Sequence, residues 1–144
     1  MKLECTRFGT IQVEKGKIIT MPGGMPGFPG MKRFVILDRK ETRPFYWYQC
    51  VDSSDLAFAI MNPRLFKPDY SVDLKSTIRE MSWEADSKND LALYVVVNAS
   101  GDVPEKITAN LVGPLVINTK KCEAVQVIVQ NSPYSHRHPI FGEG

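Results

Sequence analysis

Short apolar stretches rich in Val, Ile, Tyr and Phe follow one another along the whole chain, each closed by turn-forming residues. In order they are "KLECTRF", "TIQVE", "KIITM", "RFVILD", "PFYWYQCV", "LAFAIM", "LALYVVVN", "LVINT" and "AVQVIV". Runs of about four to eight such residues fit strands, because a buried helix needs a longer run and a different period. The connectors agree: "EKGK", "DSSD" from Asp52 to Asp55, and "NASGD" are turn chemistry. Links this short join antiparallel neighbours, and many strands at this spacing close into a sandwich or barrel. A mainly β, compact antiparallel β-barrel is the expected fold, with one or two short helices.

One segment departs from the strand period. After Asp73, Leu74, Ile78 and Met81 fall at i, i+4 and i+7 while Lys75, Arg79 and Glu80 point elsewhere. This predicts an amphipathic helix of about two to three turns, capped by Asp73 and closing one end of the barrel. The 144 residues suit one domain with one core, and a single domain over 1–144 is expected, with a short tail after about residue 140.

The apolar runs are far shorter than the roughly 20 residues a membrane helix needs, and "MKLECTRFG" carries no apolar leader core. A cytoplasmic protein is expected. Cys5, Cys50 and Cys122 are odd in number and widely spaced, which predicts buried thiols in a reducing compartment. The formal net charge of +2 comes from interspersed Lys and Arg and steers only weakly toward polyanions.

"PGGMPGFPG", residues 22–30, is glycine-rich, yet its prolines remove backbone donors and no GK[ST] follows. It reads as a stiff connection whose Met25 and Phe28 tuck under the barrel. A GxSxG nucleophile turn is lacking, and Asp52 and Asp55 sit on a polar turn. "YSHRHPI" places His136 and His138 around Arg137, and on an extended segment both imidazoles would share a side. Two ligands are too few for zinc. The segment reads instead as a docked C-terminal piece in which Arg137 and His138 hydrogen-bond to backbone or carboxylates.

"RKETRPFYWYQC" sets Arg39, Lys40 and Arg43 beside four aromatics, a mixture used by single-stranded RNA binders. Strand alternation puts Phe45, Trp47 and Gln49 on one face and Tyr46, Tyr48 and Cys50 on the other, so at most half can form a platform. A direct RNA-binding β-barrel is therefore the alternative function.

The stretches "FGTIQV", "MPGGMPGF", "PFYWYQCVDSSDLAFAIMNP", "FKPDY", "KITANLVGPLVINTKKCEAVQVI" and "YSHRHPI" together resemble the bacterial flagellar assembly factor FliW family over nearly the whole chain. The resemblance implies a compact β-barrel, no catalytic activity, no cofactor or metal, and two protein partners. Flagellin would be bound in the cytoplasm. The translational regulator CsrA would be bound in turn, which relieves its repression of flagellin mRNA. No direct contact with nucleic acid or membrane is implied. Within the matching motifs the expected partner-binding residues are Asn62, Phe66, Asp69, Tyr70, Asn110, Arg137 and His138. Family members tend to be acidic, so an acidic patch around Asp52, Asp55, Asp69 and Asp73 would be needed here to meet a basic regulator. Gly113 stands where the family suggests alanine, a change expected to act through backbone freedom.

Overall fold

A computed structural model describes residues 1–84, 86–99, 107–130 and 132–140. Strands β1 (Lys2–Cys5) and β2 (Gly9–Gln12) form a separate hairpin. The larger sheet contains β3 (Ile19–Thr20), β4 (Arg33–Asp38), β5 (Tyr46–Cys50), β6 (Ala57–Met61), β7 (Leu91–Ala99), β8 (Ile107–Ala109), β9 (Leu115–Asn118), β10 (Glu123–Gln126) and β11 (His138–Pro139). Seven of them close on themselves in the order β7-β6-β5-β4-β3-β10-β9 and back to β7. The fold is a β-barrel. All its pairings are antiparallel except β3 with β10, which meet parallel through one rung, Thr20 with Glu123.

Alternation explains why these strands bury both faces. Phe34, Tyr48, Cys50, Ile60, Leu115 and Ile117 point into the barrel with Ile19, Met21 and Ala124. The intervening residues face outward into two further cores. Val35 and Leu37 meet Leu3, Cys5, Val13 and Phe8 of the hairpin, while Met61, Val95 and Val97 meet Tyr70, Ala109 and Leu111. Runs such as "LALYVVVN" are apolar at consecutive positions for this reason.

The helix, α1 (Lys75–Glu80), is shorter than its periodicity predicts. Its N-cap position is held by Leu74 and not by Asp73; Asp73 stands one residue earlier, Oδ1 accepting from Lys75 N at 3.0 Å. Its end is set just after Met81 by Ser82, which takes a left-handed φ of 57°, with Trp83 N donating to Ile78 O at 2.9 Å. That six-to-one bond is a Schellman stop. Trp83 is then buried, and its Nε1 donates to Glu123 Oε1 at 2.9 Å, tying the helix end to β10.

Several expectations need correction. β8 and β11 were not foreseen, since three and two residues carry no readable period. "AVQVIV" is in register with β9 only as far as Gln126. Cys5 and Cys50 are buried, but Cys122 is half-exposed on a turn with φ 53°. Met25 is buried as expected, whereas Phe28 stays 43% exposed and meets Phe58 edge-on. The "NASGD" turn from residue 100 onward and the tail after 140 lie outside the described residues.

In the glycine-rich loop, Gly24 has φ 74°, and a Cβ there would lie 2.2 Å from Pro29 O. Only glycine fits that approach. At Gly113 a Cβ would meet Gln126 Nε2 at 2.8 Å, so a larger residue there requires the end of the Gln126 side chain to move.

Candidate functional site

The seven expected contact residues gather around one flank of the barrel, where the loop "NPRLFKPDY" meets "YSHRHPI". The loop is held by its own polar groups. Asn62 Oδ1 accepts from Arg64 N at 2.9 Å and starts a 3-10 turn over Pro63–Leu65. Arg64 Nε donates back to Tyr70 O at 3.2 Å. Tyr70 is 1% exposed, and its hydroxyl donates to Leu111 O at 2.7 Å. The crest of the loop is left outside, with Leu65 60% exposed and Phe66 half-buried.

The C-terminal segment docks onto this loop. Tyr134 tilts against Tyr70 at 4.6 Å between centroids. Its hydroxyl accepts from Ser71 N at 3.0 Å and lies 3.3 Å from Ser71 O. Leu111 N donates to Ser135 O at 3.0 Å, after which His138 and Pro139 pair with Ala109 and Thr108. The His138 ring stacks on Phe66 at 5.6 Å, and Lys67 Nζ sits 5.9 Å from the Tyr134 ring centre. Burial, and after it the neighbouring Lys67 charge, hold the His138 imidazole below its ordinary pKa.

Each expected residue can now be placed. Phe66, Tyr70 and His138 lie within this cluster. Asp69 is exposed beside it and pairs with Lys67 at 3.2 Å, which lowers its carboxyl pKa. Arg137 is exposed on the turn before β11. Asn110 works inside the fold, Oδ1 accepting from both Val112 N and Gly113 N at 3.0 Å. That bond pair shapes the corner where β8 gives way to β9 along the same edge of β7. Asn62 and Tyr70 likewise have internal partners.

The means of docking differs from the expectation. Among the described residues the segment is held by Tyr134, by the Ser135 backbone and by strand pairing, with ring stacking for His138, and no side-chain hydrogen bond from Arg137 or His138 takes part. His136 sits exposed on a turn. Tyr134, Lys67 and Leu65 were missed in the sequence. Leu65 alone left a signal, an apolar residue between two prolines outside any strand period.

The expected acidic patch is divided among internal partners. Asp52 pairs with Arg33, Asp55 accepts from Thr6, Asp69 pairs with Lys67 and Asp73 accepts from Lys75 N. The Arg- and Tyr-rich strip is similarly engaged. Tyr48 is stacked on Phe34 at 4.3 Å inside the barrel, and Tyr46 packs against that same core. Trp47 lies under Arg7 at 4.3 Å and donates to Thr42 Oγ1, Arg39 covers Phe8, and Arg43 grips Asp38 with two bonds of 2.9 Å. Phe45 packs against the Met61–Tyr70 core, and the four aromatics of the strip, Phe45 to Tyr48, form no common exposed platform. Among the described residues no three His, Cys, Asp or Glu side chains are grouped to hold a metal, and no helix is long and apolar enough to cross a membrane.

A closed seven-stranded barrel, flanked by a hairpin on one side and by a docked C-terminal segment on the other, defines a small β-barrel protein. Comparison with known proteins gives the family. The family model described as "FliW protein" matches residues 2–140, and the chain belongs to the FliW family. It is 35% identical over 144 residues to the flagellar assembly factor FliW of Thermoanaerobacter pseudethanolicus, covering 99% of this chain and 95% of that one. It is 40% identical over 143 residues to the flagellar assembly factor FliW of Geobacter sulfurreducens, covering 99% and 88%. A solved crystal structure of a flagellar assembly factor FliW superposes with a TM-score of 0.88 at 32% identity, covering 99% of this chain and 98% of that one.

Proposed function

We propose that this chain is a non-catalytic, cytoplasmic partner-switching protein of flagellar assembly, which binds newly made flagellin and, when free of it, captures the translational regulator CsrA. Capture relieves repression of flagellin mRNA translation. The family match over residues 2–140 carries the reading. The accessible members of the docked cluster, Phe66, Asp69, Arg137 and His138, are the proposed contacts, with Asn62, Tyr70 and Asn110 holding them in place. Leu65 adds an exposed apolar group of the kind that anchors an interface. Switching needs only that one partner disfavour the other by a coupling of about 1–3 kcal/mol.

The test mixes the purified chain with its own organism's flagellin and CsrA and measures each affinity alone and in the presence of the other. Each partner is expected to weaken the other about tenfold or more. Arg137→Glu, on an exposed turn, should weaken at least one of them without altering the fold. Failure to bind either partner removes the reading.

A further inference from the structure

The barrel is closed between β3 and β10 by a single rung. Beyond that rung the chain runs on in extended form, but on one side only. Val127 N donates to Pro114 O at 2.9 Å and Val129 N to Val112 O at 2.7 Å. Backbone groups alternate sides along an extended strand, so the N–H and C=O of Gln126 and Ile128 turn the other way. Among the described residues no backbone group pairs with them there. The stretch "EAVQVIVQ" contains no proline or lysine, two residues that commonly blunt an exposed edge.

This edge faces a cleft. Helix α1 stands across from it, held at its far end by the Trp83–Glu123 bond. Between them lies a space of about 470 Å³ lined by Val72, Thr77 and Met81 on one wall and by residues 125–130 on the other. Ile128 is 61% exposed at its rim. Two charged side chains line the cleft, Asp73 and Glu80, and both are acidic.

We propose that residues 126–130 form a strand-addition site for an extended segment of a partner protein in which basic side chains alternate with apolar ones. Backbone bonds to Gln126 and Ile128 would supply affinity, and alternate side chains would meet Ile128 on one face and Asp73 with Glu80 at the wall. An added strand would lie at the usual spacing of about 4.8 Å from the edge. A second copy of this barrel would bring its own Asp73 and Glu80 against like charges. The inference stands apart from the flagellin and CsrA reading and uses neither protein in its test.

The probe is a heptapeptide of alternating lysine and valine, followed by residue-resolved hydrogen exchange and by titration. In the free protein the Ile128 amide should exchange freely. Saturating peptide should slow it at least tenfold. Ile128→Pro, which removes that N–H together with the exposed side chain, should weaken binding at least tenfold at unchanged melting temperature and by clearly more than Ile128→Ala, which keeps the N–H; Glu80→Lys should weaken it about fivefold or more. A peptide N-methylated on alternate residues, so that the edge facing the protein lacks donors, should not bind, which carries the test if the proline variant misfolds. The proposal is overturned if the Ile128 amide is already protected in the free protein, or if the heptapeptide does not bind. Equal binding by the N-methylated peptide overturns it as well. So does Ile128 protection that appears only with dimerisation in sedimentation.

Discussion

Two sheet edges of this molecule meet opposite fates. The free side of β8 is covered by the chain's own C-terminal segment, which adds β11 and continues with Ile140 N donating to Ile107 O at 3.1 Å. Among the described residues nothing pairs with the edge at 126–130, because β3 stops after two residues and Pro22 then leads the glycine-rich loop away. The difference lies in tethering. Tyr134, fixed between Tyr70 and Ser71, delivers the C-terminal segment to β8 at little further entropic cost. Among the described residues no comparable anchor brings a segment back to Ile128. β11 also carries Pro139, which has no N–H to offer along the outer side of the covered edge.

The contrast can be broken most severely at the wall of the open edge. Trp83→Ala empties a buried site and severs the bond to Glu123, and a stability loss of about 3–5 kcal/mol is expected in urea denaturation. Protection of the α1 amides should fall furthest. At the covered edge, Tyr70→Phe strands Leu111 O and should cost about 1–2 kcal/mol. Hydrogen exchange should quicken at Ile140 while Ile128 is unaffected. Equal changes at both would mean that the two edges are not independent.

Smaller effects sharpen the comparison. Gly113→Ala should displace the Gln126 amide from Gly113 O, a bond of 2.7 Å, with a loss of about 1 kcal/mol by equilibrium unfolding. The smallest effect is the pH dependence of the covered edge. His138 has a folded pKa below its ordinary value of 6.5, so below that pH the unfolded chain binds the proton more readily. Stability from this group is complete above about 6.5 and declines as pH falls through the folded pKa. His138→Phe keeps the stack on Phe66 without titrating, and its stability profile should lack that decline between neutral and acid pH.

The strands of the barrel wall were legible because their apolar runs and turns are local. "RFVILD" and "PFYWYQCV" announce β4 and β5, and alternation along "PFYWYQC" assigned Tyr48 and Cys50 to one face and Trp47 to the other. The candidate site was legible only as two motifs. Nothing in "FKPDY" or "YSHRHPI" states that Phe66 stacks on His138, or that Tyr70 lies inside while Asp69 lies outside. Neighbours one residue apart in a loop follow no period that could separate them.

Sequence alone determined that most of this chain becomes short antiparallel strands, because side-chain alternation and turn chemistry act over a few residues. Tertiary structure decided which edges are covered and which polar groups are spent within the fold. Those outcomes depend on pairings such as His138 with Ala109 and Thr20 with Glu123. Such pairings join distant parts of the chain, and their strength is set by what else has already been anchored beside them.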